Sequence, residues 1–539
     1  MLRRLRAPAT AVAALAVLFA LATGSTTGEP ATAPAVVAAK PAVRHTATAT
    51  QPAISFTQPV AADPAGLERF YGQRVAWGRC ARGWGDCASV WVPLDYDDPE
   101  GATVPISLYR LPAGLPAKRK GTLFINPGGP GGSGTDFARE AHRYLGEDVR
   151  SVWDVVGFDP RGIGESAGFD CLTDRDLDEL YAADPTPETT AERRALDRAD
   201  RARLRGCLAR GGPLALHMGT ESVARDLDIL RAAVSDERLN YLGVSYGTMI
   251  GAMYADFFTS RVGYIVLDSG VVSDGFDTPD VTQAEYDADA RAQGRELEAA
   301  VADFAEACGG GCSLGGDGAA VSDTIVRVLD GLERRPLPTK FETLPRLTEG
   351  WAAAAVRAGL EDEGVWPYLV EALERAQQGD GSDLAWLAMA DTGREEDGTY
   401  PGASFGKNHL PVTCADWPPT RWDTMAPSSQ VVREFPLLAR LSPRSGDPCA
   451  GWPGPRRQNL LVGAEPATPI VVIGNEHDPV TSIGGTEYLA SVLVRSRLVR
   501  VDAYGHGAYG SGNACADRAV GAYLVSGIAP PDDTRCPAE

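Results

Sequence analysis

The chain has 539 residues, a hydrophobic fraction of 44% and a formal net charge of −21. That length serves one large domain carrying an insertion, or two to three ordinary domains. The acidic balance argues against nucleic acid or an anionic membrane as partner and fits a protein dissolved in an open medium.

Residues 1–22 read as an export signal: Arg3, Arg4 and Arg6 precede a small apolar run at 9–22 that ends in the A-x-A site Ala20-Leu21-Ala22. The run is too short to span a bilayer, and no cysteine near the cleavage site offers a lipid anchor. Residues 23–64, rich in Ala, Thr and Pro, cannot bury a core and are expected to form a disordered linker or a removable pro-segment. The expected mature protein is therefore secreted and extracellular. Ten cysteines in an exported chain point to disulfides. Pairing neighbours in sequence gives 80–87, 171–207, 308–312, 414–449 and 515–536, although spacing alone does not fix connectivity. A zinc site at Cys308 and Cys312 lacks a second pair or a nearby His.

Short apolar runs at 89–96, 104–111, 121–126, 153–159, 239–244, 262–268, 469–474 and 497–501 predict strands, and helical patterns such as 221–234 and 248–258 lie between them. Buried strands alternating with helices mean an α/β fold with a mostly parallel sheet. From 272 to 459 the sheet rhythm stops and helices and loops take over. The expected organisation is a hydrolase core in two parts, 65–271 and 460–539, with a largely helical cap inserted after the sixth strand. Sites in such sheets sit at the carboxyl ends of strands, where a cap would cover them.

Two stretches match G-x-S-x-G: Gly243 to Gly247 around Ser245, and Gly164 to Gly168 around Ser166. A nucleophile elbow needs a strand running into the turn and a helix leaving it, with glycines because strand and helix pack closely. Ser245 has both. Ser166 lies seven residues past Asp159 in a loop followed by polar, acidic sequence, so it reads as a turn serine. The acid and the base should follow in that order. His506, between two glycines after the last long strand, is the candidate base, and Asp478, after the preceding strand, the candidate acid. Glu476 is the rival acid, and His477 and His409 are the remaining histidines after Ser245. Oxyanion donors are expected from the N–H of Tyr246 and from the glycine-rich loop 126–134, which is not a phosphate cradle because no G-K-[ST] follows.

"NPGGPGGSG", "DPRGIGES", "GVSYGT", "CADW", "EHDPVT" and "GHG" follow in one order over residues 75–536. Together they resemble the secreted tripeptidyl aminopeptidases of actinomycetes, in the proline iminopeptidase-like branch of the α/β-hydrolases. The resemblance implies exo-cleavage of short N-terminal units from peptides, a Ser-Asp-His triad at Ser245, Asp478 and His506, and no cofactor. It puts the second oxyanion donor at Gly129 and a TAP-like C-terminal segment at 428–536. Two departures stand out: Ser269 where a glycine is expected straight after Asp268, and Thr481-Ser482 in place of Thr-Pro. A substrate with a free N-terminus needs a carboxylate near the cap. Asp416 in "CADW" is the main candidate; Glu361, Asp362 and Glu363 are further candidates in a stretch that reads more readily as solvated acid. A carboxylesterase with the same triad, a prolyl aminopeptidase and an inactive binding protein on the same scaffold are the competing readings.

Overall fold

A computed structural model of the chain describes residues 59–81, 84–271, 282–309, 311–401, 405–417, 425–442, 447–456 and 465–539. The expected export signal and most of the expected linker lie outside them. Among the described residues the strands are β1 (Gly78–Arg79), β2 (Asp86–Pro93), β3 (Thr103–Leu111), β4 (Gly121–Asn126), β5 (Trp153–Phe158), β6 (Leu239–Val244), β7 (Val262–Asp268), β8 (Leu337–Pro338), β9 (Arg346–Leu347), β10 (Ile470–His477), β11 (Ser496–Tyr504) and β12 (Thr534–Cys536). All but β8 and β9 form one sheet in the order β1-β2-β3-β5-β4-β6-β7-β10-β11-β12. Pairing is antiparallel from β1 to β3 and between β3 and β5, then parallel across the rest. Every residue of β4 and β5 is buried, because helices cover both faces of a parallel sheet and leave no polar side. This is the mostly parallel α/β sheet that the alternation of apolar runs predicts.

One face packs on helices Thr220–Ala233, Gly247–Phe257 and Ile483–Val492, and the other on Glu147–Val152 and Ala514–Ser526. Between β7 and β10 the described chain is helical except for the short β8–β9 ladder, and it builds a core of its own. In helix Gly318–Arg334, for example, Val321, Thr324, Ile325, Val328, Leu329 and Leu332 are buried along one stripe, which the 3.6-residue period places on a single face. Asp317 caps that helix by accepting the N–H of Ala320. In the same region Arg440 gathers Asp330 (2.6 Å), Glu333 (3.0 Å), Glu188 (3.3 Å) and, more distantly, Glu349 (3.8 Å).

The ten cysteines form the five bonds Cys80–Cys87, Cys171–Cys207, Cys308–Cys312, Cys414–Cys449 and Cys515–Cys536. Each joins neighbours in sequence, as the spacing suggested, and Cys308 and Cys312 are thereby taken out of any zinc reading. Such bonds belong to an oxidising compartment. No described helix is long and apolar enough to cross a membrane.

Candidate active site

β6 runs into Ser245, whose φ of 57° is left-handed, and helix Gly247–Phe257 leaves the turn. The flanking glycines are steric necessities. A Cβ on Gly243 would lie 2.3 Å from the carbonyl oxygen of Gly247, and one on Gly247 would lie 2.8 Å from that of Asn126. The Ser245 N–H donates to the carbonyl of Asp268 (2.9 Å), and Thr248 donates to the Ser245 carbonyl through both its N–H (2.8 Å) and its hydroxyl (2.6 Å). The turn is thus held on both sides, while the Ser245 Oγ is fully buried and has no hydrogen-bond partner among the described residues.

His506 lies in the loop after β11, with Nδ1 at 2.9 Å from Asp478 Oδ2 and 3.1 Å from Oδ1. Asp478 is held in turn by the N–H groups of Val480 and Thr481 and by the Thr481 hydroxyl, so its rotamer is set before the imidazole meets it. Thr481 also approaches His506 Nδ1 (3.3 Å). Burial disfavours the imidazolium, but the Asp478 charge, its hydrogen bond and the more distant Asp268 outweigh burial and raise the His506 pKa. Its other nitrogen, Nε2, is buried without a partner among the described residues. Asn475 braces the loop by donating to the carbonyl of Gly505 (2.7 Å).

The glycine-rich loop lies against the turn of Ser245: a Cβ on Gly128 would come 2.8 Å from the Tyr246 nitrogen. The backbone N–H groups of Tyr246 and Gly129 donate to no other group among the described residues. Asp159 anchors this loop by accepting from the Ser133 hydroxyl (2.7 Å) and the Thr135 N–H (3.0 Å). Ser166 is part of that brace. Its buried hydroxyl donates to the Asp159 carbonyl (2.6 Å) and accepts the N–H of Ser107 (2.8 Å).

The other expected acids separate. Glu476 pairs with Arg535 (3.1 Å), and His477 turns to Asp303 (3.2 Å). His409 packs on Arg203. Asp416 is buried and gives one oxygen to the Thr220 N–H (2.8 Å) and the other to the Thr220 hydroxyl (2.6 Å). It therefore serves the start of helix Thr220–Ala233, which leaves little of it for a substrate amine. Asp362 binds the N–H of Gly364 near the surface. Glu361, in contrast, lines a cavity of about 30 Å³ with Glu296, Arg357, Leu360, Leu438 and Pro479, where there is room for a group or two of water's size. Pro479 follows Asp478 directly, so this cavity lies near Asp478, whose charge reaches both carboxyls. Burial, then Asp391, push the Glu361 pKa well up against the pull of Arg357, and burial, then Asp289, push that of Glu296 to about 7. Sequence reasoning missed Glu296 because it is one of many acidic residues on helix Gln283–Cys308 and carries no motif. Among the described residues no cluster of His, Cys, Asp or Glu is arranged to hold a metal ion.

Residues 121–307 match the α/β hydrolase fold family, and residues 436–536 match the family described as TAP-like protein. The chain is 32% identical over 484 residues to a tripeptidyl aminopeptidase of Streptomyces lividans, covering 86% of each chain. It is 32% identical over 489 residues to the serine protease Hip1 of Mycobacterium tuberculosis, covering 86% of this chain and 91% of that one. A protein of the same organism named carboxylesterase B is 34% identical over 472 residues, covering 84% of this chain and 86% of the other.

Proposed function

Because the chain belongs to the tripeptidyl aminopeptidase family, with a TAP-like C-terminal segment on the α/β-hydrolase fold, we infer that it is a secreted serine exopeptidase. It releases short N-terminal units, tripeptides foremost, from peptides with a free N-terminus. The observation that carries the chemistry is the pair of buried, unpartnered atoms, Ser245 Oγ and His506 Nε2. A buried polar atom left unsatisfied is costly, and these are the two atoms between which the serine proton would pass.

In this reading His506 Nε2 takes the Ser245 proton as Oγ attacks the peptide carbonyl carbon. Asp478 keeps the Nδ1 proton in place and stabilises the imidazolium. The oxyanion that forms receives the free N–H groups of Tyr246 and Gly129. His506 then passes its proton to the departing amine, and water, deprotonated by the same ring, releases the acyl group from Ser245. Glu296 and Glu361 take the substrate's ammonium. Both carboxyls are held up in pKa by burial, and an arriving cation is the counter-charge that lets them ionise. The described helices between β7 and β10 act as the cap over the bound N-terminal unit.

The relative named carboxylesterase B favours a second reading, ester hydrolysis by the same triad. A panel of tripeptidyl, aminoacyl and N-blocked chromogenic peptides, with simple esters beside them, separates the two. Fast cleavage of free tripeptidyl substrates and slow cleavage of their N-blocked forms supports the exopeptidase. Indifference to N-blocking, or preference for esters, overturns it.

A further inference from the structure

We propose that Asp268 and Ser269 are positioning residues that hang the His506 loop from the same strand end that fixes Ser245. The proposal rests on the triad reading above and concerns residues that touch no substrate.

Three successive N–H groups that follow His506 all point at this dipeptide. Gly507 donates to the Ser269 hydroxyl (2.9 Å). Ala508 donates to Asp268 Oδ1 (2.9 Å), and Tyr509 to Asp268 Oδ2 (2.8 Å). The main-chain carbonyl of Asp268 meanwhile accepts the N–H of Ser245 (2.9 Å), and the Ser269 N–H donates to the carbonyl of Ile473 on β10 (2.8 Å). One dipeptide thus joins the nucleophile turn, the strand leading to Asp478 and the loop of His506. Both side chains are fully or almost fully buried, so water offers no substitute for these bonds.

Ser269 carries a second sign of purpose. Its φ is 57°, a conformation that favours glycine and costs other residues about 1 kcal/mol or more. Glycine would fit the backbone better but could not receive the Gly507 N–H. A serine kept there is explained by its hydroxyl. Asp268 adds charge to the same task. Its carboxylate and that of Asp478 are the charged groups facing the imidazole and both favour its protonated form, while the Asp478 charge also reaches Glu296 and Glu361 of the cap and raises their pKa values.

The test uses the mature full chain with a tripeptidyl chromogenic substrate, comparing wild type, Ser245→Ala, Ser269→Gly and Asp268→Asn by kcat, KM, Tm and pH–rate profile. Ser269→Gly should lower kcat about tenfold or more at unchanged KM, because a small displacement of a catalytic group is enough for such a loss, while Tm changes little, because relief of the left-handed backbone offsets the lost hydroxyl bond. Asp268→Asn should move the acidic limb of kcat/KM to lower pH, since one of the two charges favouring imidazolium is gone. Wild-type kcat in Ser269→Gly, a loss of kcat that only follows a loss of Tm, or an unmoved acidic limb in Asp268→Asn overturns the proposal. Residual full activity in Ser245→Ala would instead overturn the triad reading on which it rests.

Discussion

His506 turns Nδ1 to Asp478 Oδ2 at 2.9 Å and leaves Nε2 buried and unpartnered. The pairing sets a pH dependence. Although burial works against it, the Asp478 carboxylate and the nearby Asp268 raise the ring's pKa above the ordinary 6.5. A general base acts only when neutral, so kcat/KM should fall about tenfold per pH unit below an apparent pKa that lies above 6.5. The same sign holds for stability: the pairing contributes fully below pH 6.5 and is lost as pH rises through the raised value. A pH–rate profile whose acidic limb sits below 6.5 would contradict this arrangement.

The two G-x-S-x-G serines should behave oppositely. Ser245→Ala should lower kcat by about 10⁴-fold or more with little change in Tm, since its hydroxyl makes no hydrogen bond. Ser166→Ala should leave kcat nearly unchanged but cost about 1–3 kcal/mol of stability, because it orphans the buried Ser107 N–H. Steady-state kinetics and thermal melts on both variants check the pair.

Glu361→Gln and Glu296→Gln should raise KM for free tripeptidyl substrates more than for N-blocked ones, with kcat changed less. An ammonium held by a carboxylate gains about 1.5–3 kcal/mol over a neutral partner, or about 10- to 150-fold in KM. An equal effect on blocked and free substrates would remove these two residues from amine recognition.

Glu349 supplies a stability prediction away from the site. It is 4% exposed, and neither carboxylate oxygen has a hydrogen-bond partner among the described residues. Burial first, then Asp184, push its pKa from 4.5 to about 8 against the pull of Arg440. A raised carboxyl pKa means that the folded protein binds the extra proton, so this group stabilises below about pH 4.5 and loses that contribution as pH rises to about 8. Glu349→Gln should raise Tm at pH 8 and flatten its decline between pH 5 and 8, as followed by melts across that range.

The main strands were legible because each is a short apolar run bounded by turn residues. β4 coincides with the run at 121–126, and the turn at Ser245 announces itself by the glycines that its crowding demands. The disulfides were legible as neighbours, though not by logic that excluded other pairings. Asp416 reads as a candidate amine anchor in "CADW" because sequence does not reveal that the N-terminus of helix Thr220–Ala233, almost two hundred residues earlier, folds onto it. Glu296 and Glu361 gain their character from burial against each other's surroundings, a tertiary property with no local pattern. The strands β8 and β9, of two residues each, fall below what periodicity resolves. The Ser269 departure was visible as an oddity, but its hydroxyl acquires a meaning only when Gly507 arrives from the far end of the chain.

The largest sequence separation between bonded cysteines is 36 residues, at Cys171–Cys207, and no bond straddles another. A chain emerging N-terminus first therefore meets each correct partner before any later cysteine appears. Oxidation that keeps pace with emergence writes the native connectivity in order, with no reshuffling step.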